Sequence, residues 1–274
     1  MAEVEVDGLR LHVERRGSGP AVVLLHGFTG STSTWESLTE VLAPEFEVIA
    51  IDIVGHGRSA SPAEVDRYRM ERCTDDLVAA LRALGHERAT WLGYSMGART
   101  ALQLAVRHPE AVDALVLEGV TAGVADAGER SARIAADEVL AERLDTEGLE
   151  AFIDFWQSIA LWDTQAGTPD ERLAALREQR MQSDPVGLAN SLRGMGAGAQ
   201  APVHDRLGEI DVPVLLMAGS LDAKFTAIAH ELLHGLPRAE FTAIAGAGHA
   251  AHFEDPDAFN EVVLAYLRRV HASG

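Results

Sequence analysis

Polar and apolar residues alternate over Glu3 to Val6 and again over Leu9 to Glu14, with Asp7-Gly8 between them. Alternation presents one strand face to a core, and Asp-Gly favours a tight turn, so the pattern predicts two antiparallel edge strands. Further along, the pattern changes. Continuous apolar runs occupy Ala21 to Leu25, Val48 to Ile51, Ala89 to Leu92, Ala114 to Leu117 and Val214 to Met217, with a weaker run near Phe241 to Ile244. Such runs suit strands buried on both faces, and the segments between them are long enough for crossover helices. The expected fold class is α/β, a mostly parallel central sheet with helices on both faces.

One interval breaks this rhythm. Between Thr121 and Arg206 no strand pattern appears, while helical stretches run over Arg130 to Arg143, Leu149 to Ile159 and Pro169 to Met181. The interval is too long for a single crossover and too regular for disorder, so it reads as an inserted helical cap. The expected organisation is a core over residues 1–120, a cap over 121–206 and the rest of the core over 207–274.

Charge and cysteine content remove whole classes of function. With 42 acidic and 23 basic residues the formal net charge is -19. Nucleic acid and anionic membranes bind chiefly through Lys and Arg, so neither is an expected partner. No apolar run approaches spanning length and the N-terminal residues lack a targeting pattern, which predicts a soluble, cytoplasmic protein. Cys73 is the single cysteine, so an intrachain disulfide is excluded and a buried packing role is expected.

The chemistry-bearing residues lie at predicted strand ends. The run Ala89 to Leu92 leads into Gly93-Tyr94-Ser95-Met96-Gly97, and Arg99 to Arg107 is helical. G-x-S-x-G between strand and helix is a nucleophile elbow: the sharp turn lifts the serine hydroxyl above the sheet and leaves no room for a Cβ on either side. Serine needs a base, and the base needs an acid to hold it. Asp222 follows the run ending at Met217, and His249 follows the run near Ile244 within Gly246-Ala247-Gly248-His249. The order Ser95, Asp222, His249 is the one this elbow fold uses, although Glu118 also follows a strand and is a rival acid. His249 and His252 form a His-x-x-His pair, but no third ligand type clusters with it, so no metal is expected. Leu25-His26-Gly27-Phe28 follows the first parallel run, and the backbone N–H groups of Phe28 and Met96 are the expected oxyanion hole. Asp52 to Ser59 reads as a structural turn.

Arg99 stands one helical turn beyond Ser95, where such helices are usually apolar, so its guanidinium needs either a neighbouring carboxylate or an anionic substrate. Position alone leaves both open. Gly194, Gly196 and Gly198 alternate within GLANSLRGMGAGAQ, which suggests a phosphate loop; no buried strand precedes it and no ribose-binding acid follows, so the dinucleotide reading fails.

Taken together, GYSMGART, LHGF, DAKF, GAGHAAHFEDP and GLANSLRGMGAGAQ resemble the 2-succinyl-6-hydroxy-2,4-cyclohexadiene-1-carboxylate synthase family of menaquinone biosynthesis, within the α/β-hydrolase superfamily. The resemblance spans essentially the whole chain. It implies a carbon-oxygen lyase without cofactor, eliminating pyruvate from an anionic small molecule with several carboxylates, with Ser95, His249 and Asp222 as the catalytic set. It further implies that Arg99, Arg133 and Arg180 read the carboxylates and that Tyr94 and the pair Phe155-Trp156 line the pocket. Ala98 departs from the family pattern, which has glycine there. Because fold and triad do not determine a reaction, an ester or carbon-carbon bond hydrolase is the alternative, and a non-catalytic ligand receptor a further one.

Overall fold

The structure, a computed structural model, describes residues 2–272. In chain order the regular elements are β1 (Ala2–Val6), β2 (Leu9–Arg16), β3 (Ala21–Leu25), α1 (Glu36–Leu42), β4 (Glu47–Ile51), α2 (Met70–Ala83), β5 (Ala89–Tyr94), α3 (Met96–Arg107) and β6 (Val112–Glu118). There follow α4 (Ala127–Gln157), α5 (Asp170–Arg180), α6 (Pro185–Met195), β7 (Val214–Gly219), α7 (Ala223–Leu233), β8 (Ala239–Ile244), α8 (Ala251–Glu254) and α9 (Pro256–His271), with short 3-10 turns between some of them.

The strands form one eight-stranded sheet in the order β1-β2-β4-β3-β5-β6-β7-β8. From β4 to β8 all pairings are parallel, whereas β2 runs antiparallel to both β1 and β4. The predicted hairpin is therefore present, but of its two strands only β1 is an edge; Val13 to Arg16 of β2 pair with Val48 to Ile51. Alternation in β2 reflects one buried face, which an interior strand near the end of a sheet also has.

Each apolar strand feeds two cores. Val23 and Leu25 of β3 join Trp91, Leu115, Leu117 and the inner faces of α2 and α3, while Val22 and Leu24 join Leu92, Val116, Leu42 and the apolar stripe of α9. Burial on both faces is what removed polar residues from these runs. Cys73 is fully packed in the first of these cores, and burial raises its thiol pKa well above the ordinary value. After β3 the chain adds β4 on one side and then returns to place β5 on the other. Ligand sites of open α/β sheets form at the strand C-termini beside such a reversal.

From Gly119 to Pro213 no described residue is in a strand. The stretch contains α4, α5 and α6, with a small core of Ala141, Leu144, Phe152, Ile153, Leu188 and Leu192 against which Phe28 of the sheet region packs. Gly148, with φ 82° and ψ 174°, interrupts α4, so the helix is two segments meeting between the predicted stretches 130–143 and 149–159. Gly194 lies within the last turn of α6, not in a connecting loop, and Gly196 ends the helix. A Cβ at Gly196 would sit 2.5 Å from Asp137 Oδ2, and one at Gly194 would sit 2.6 Å from Tyr68 Cβ. The alternate glycines are thus close-approach positions where backbone meets other segments. No helix among the described residues is long and apolar enough to cross a membrane.

Candidate active site

The turn from β5 to α3 lifts Ser95 off the sheet. Ser95 has φ 51° and ψ -103°, a conformation that L-residues avoid and that nucleophile elbows impose. The flanking glycines follow from contact distances: a Cβ at Gly93 would lie 2.3 Å from the Gly97 carbonyl, and one at Gly97 would lie 2.1 Å from the Leu25 carbonyl oxygen. Ser95 N–H donates to the Glu118 carbonyl at 2.8 Å, which ties the elbow to β6. Ala98 is fully buried in the same helix, so the methyl group is accommodated in the core.

Asp222 and His249 arrive from the ends of β7 and β8. Asp222 Oδ1 accepts from the Phe225 N–H as the N-cap of α7, and Oδ2 lies 2.8 Å from His249 Nδ1. Partial burial pushes the Asp222 pKa upward, but the bonds from His249 and Phe225 outweigh it, and the net shift is downward. His249 Nε2 lies 3.3 Å from Ser95 Oγ. Such a serine–histidine distance is ordinary for a site without substrate. The His249 ring is braced by Phe225 at 4.5 Å, Tyr94 at 5.4 Å and Trp162 at 6.0 Å between centroids.

Glu118, the rival acid, is used elsewhere. It is fully buried, and its Oε2 lies 2.8 Å from His252 Nδ1 while Oε1 accepts from the His252 N–H. The two histidines of His-x-x-His are therefore committed to two different carboxylates.

Facing the serine from β3 is the loop His26 to Thr29. His26 Nδ1–H donates to the Gly27 carbonyl at 2.8 Å and Nε2 accepts from Ile53 N–H at 3.0 Å. Burial lowers the His26 pKa to about 4, so the ring is a neutral strut that shapes the loop. Among the described residues neither the Phe28 nor the Met96 N–H has a hydrogen-bond acceptor. Asp52 accepts from the N–H groups of Thr32 and Arg58, consistent with a structural turn.

The arginines separate into different environments. Arg99 donates to the Met195 carbonyl at 3.0 Å and to Gln200 Oε1, with no carboxylate partner; burial, helped by the charge of Arg133, lowers its pKa to about 10. Arg133 is half-exposed and pairs with Asp137 at 2.8 Å. Arg180 is only 6% exposed and stacks over Trp162 at 5.2 Å. No ion pair or hydrogen bond joins its guanidinium to another described residue, and burial lowers its pKa to about 10.

A cavity of about 510 Å³ opens beside Tyr94, the neighbour of Ser95 in the chain, with Phe28, Trp162, Gln179, Arg180 and His252 among its other walls; of the three predicted arginines only Arg180 lines it. The Tyr94 hydroxyl is buried without a partner, and burial raises its pKa well above the ordinary value. Trp156 is not on this wall: it packs on Phe28 at 5.3 Å and its carbonyl accepts from Trp162 Nε1. Phe155 is held away from the cavity under Arg143, whose guanidinium lies 4.0 Å from the ring centroid. Trp162 and Gln165 were missed by sequence reasoning. Their segment packs so closely on the histidine loop that a Cβ at Gly248 would meet Thr164 Oγ1, but nothing in its pattern marks a site.

The fold and sequence are shared with known proteins. Residues 20–256 match the α/β hydrolase fold family model. The chain is 41% identical over 96% of its length to a Bacillus subtilis (strain 168) protein, covering 97% of it, that is provisionally named 2-succinyl-6-hydroxy-2,4-cyclohexadiene-1-carboxylate synthase. It is 32% identical over 91% of its length to the synthase of that name from Enterobacter sp. (strain 638), covering 92% of it. Among solved structures, MenH from S. aureus superposes with a TM-score of 0.91 at 30% identity, covering 95% of this chain and 99% of that one. The chain belongs to the 2-succinyl-6-hydroxy-2,4-cyclohexadiene-1-carboxylate synthase family within the α/β hydrolases.

Proposed function

We propose that the protein is a carbon-oxygen lyase that eliminates pyruvate from 2-succinyl-5-enolpyruvyl-6-hydroxy-3-cyclohexene-1-carboxylate. The product is 2-succinyl-6-hydroxy-2,4-cyclohexadiene-1-carboxylate. Family membership supports the reaction, and the arginines support the substrate class. The carrying observation is that Arg180, 6% exposed, and the part-buried Arg99 have no hydrogen-bonded or ion-paired carboxylate among the described residues, and that Arg99 stands one helical turn beyond Ser95 of the Ser–His–Asp array. A guanidinium withdrawn from water without a counter-charge is costly, and a polycarboxylate is the ligand that lowers the cost. An ester hydrolase has no such need.

The substrate and product names define the bond changes. A 3-ene with a leaving group at C5 becomes a 2,4-diene when the C2 proton departs, the electron pair shifts to C2–C3, the double bond moves to C4–C5 and the C5–O bond breaks. C2 is α to the succinyl ketone, so its proton is acidic and the developing enolate needs donors. In this reading Ser95 Oγ, activated by His249, takes the proton; Asp222 holds the imidazolium, and the Phe28 and Met96 N–H groups meet the ketone oxygen. The expelled enolate of pyruvate takes back a proton, and no acyl-enzyme forms. Residues 121–206 act as a cap that closes over Tyr94 and brings Trp162 to the site, with Trp156 supporting Phe28 from behind. Arg133, already paired with Asp137, contributes a weaker contact than the other two arginines. We place the reaction in the cytoplasm.

The test is release of pyruvate from this substrate by the wild type, Arg99→Ala and Arg180→Ala. Hydrogen bonds to charged groups are worth about 1.5–3 kcal/mol, so each variant should lose roughly tenfold to a hundredfold in kcat/KM while the fold is kept. Unchanged turnover in both variants would sink the reading.

A further inference from the structure

Gln200, the last residue of GLANSLRGMGAGAQ, holds Arg99 in a way that packing does not require. It is 2% exposed, and its Oε1 accepts from Arg99 while its Nε2 is buried with no hydrogen-bond partner. The other acceptor on Arg99 is the neutral Met195 carbonyl. A glutamate at 200 would replace the orphaned amide donors with an acceptor and form an ion pair with Arg99. The amide forgoes both gains. What it keeps is an oriented guanidinium whose charge has not been neutralised.

Arg133, on α4 and close enough to act on Arg99 electrostatically, makes the contrast within one site. It donates to Asp137, which is buried, so its charge is answered inside the protein. Arg99 feels both groups: Arg133 disfavours its charge and Asp137 favours it. A second carboxylate close to Arg99 would give this cluster as many fixed negative charges as positive ones, and no attraction for an anion would remain.

We propose that Gln200 is a positioning and specificity-determining residue: by holding Arg99 through an uncharged oxygen it aims the guanidinium at Ser95's substrate and leaves its full charge for a substrate carboxylate. The inference rests on the proposed anion-binding role of Arg99. It assigns a task to the final position of the glycine-rich signature, for which the glycines alone give no reason. Gly196 and Gly198 let the chain turn tightly against α4, and that turn delivers Gln200 beneath Arg99.

The experiment compares wild type, Gln200→Glu, Gln200→Leu, Gln200→Asn and Arg99→Ala by two readouts: kinetics of pyruvate release, and calorimetric binding of succinate as a simple dicarboxylate probe. Thermal melting checks the fold. Gln200→Glu should melt no lower than wild type yet raise KM by about tenfold or more and abolish succinate binding, matching Arg99→Ala. Gln200→Leu keeps the charge but frees the side chain, so KM should rise about threefold to tenfold with kcat less affected. Gln200→Asn should fall between Leu and wild type. Wild-type binding and kinetics in Gln200→Glu would overturn the proposal, as would equal losses in Glu and Leu accompanied by equally lowered melting. Succinate binding that depends on Arg99 and on the charge at 200, without pyruvate release by the wild type, would retire the lyase reading and keep this one. Absence of succinate binding by wild type, with Arg99→Ala kinetically unchanged, would overturn it.

Discussion

Two histidine–carboxylate pairs sit side by side at the C-terminal edge of the sheet, and they differ in what the second ring nitrogen meets. His249 is held by Asp222 and points Nε2 at Ser95; His252 is held by Glu118 and meets no nucleophile. Their rings flank the same Tyr94, at 5.4 Å and 4.4 Å between centroids. Their carboxylates are not equivalent. Asp222 caps a helix and retains partial solvent access, whereas Glu118 is fully buried in the last residue of β6. A carboxylate–histidine pair is thus common structural stock, and in the proposed mechanism position relative to the elbow serine separates chemistry from architecture.

The comparison breaks most decisively at Ser95. Ser95→Ala leaves both pairs intact and removes the group that His249 serves. Loss of about 10⁴-fold or more in kcat for pyruvate release is expected, by the scale of triad deletions, with no loss in melting temperature. Retention of most turnover would show that His249 works without the serine, and the distinction between the two pairs would disappear.

The acids provide the next test. Asp222→Asn should cost turnover about as severely as deletion of a triad member, because the wrong histidine tautomer faces Ser95. Glu118→Gln should instead destabilise the fold by about 1–3 kcal/mol in urea denaturation, since it weakens a buried charge-assisted contact, and should change kcat only severalfold. A fall in kcat for Glu118→Gln as deep as that for Asp222→Asn would promote the second pair to the chemistry.

This contrast also marks where the sequence was informative. The apolar runs announced β3 to β7 because strands buried on both faces admit few polar residues, while the part-exposed edge strand β8 left only a weak run; Gly93 and Gly97 announced the elbow because backbone contacts near 2 Å exclude any Cβ. Alternation in β2 could not tell an edge strand from its neighbour, because pairing on the second side leaves no mark on side-chain polarity. Glu118 and Asp222 both follow apolar runs in the sequence, so only the pairing with His252 or His249 distinguishes them. Trp162 and Gln165 lie in a 3-10 segment without periodicity, and their approach to the histidine loop is a tertiary accident of the chain's return. Arg99 was legible as an oddity, one turn beyond the serine, whereas Arg180 was named only through the family resemblance. That they lack carboxylate partners was not legible, because partners are drawn from distant parts of the chain.

Histidines hydrogen-bonded to no carboxylate sharpen the comparison by a smaller, acid-dependent effect. His26 and His56 are fully buried with rings 5.1 Å apart, and burial lowers their pKa values to about 4 and about 3, with the charge of His26 adding to the shift of His56. Both titrate in the unfolded chain near the ordinary histidine value of about 6.5. Between that value and the folded pKa the unfolded state binds more protons, so stability is full above pH 6.5 and falls as the pH is lowered. At pH 5 each ring should subtract about 2 kcal/mol, measured as the difference in urea unfolding free energy between pH 7 and pH 5. His26→Asn should be less stable at pH 7 but lose less on acidification than wild type. An undiminished acid-dependent loss in that variant would mean that the neutral strut under Phe28 is not what resists protonation, and that the burden lies with the carboxylate-paired rings instead.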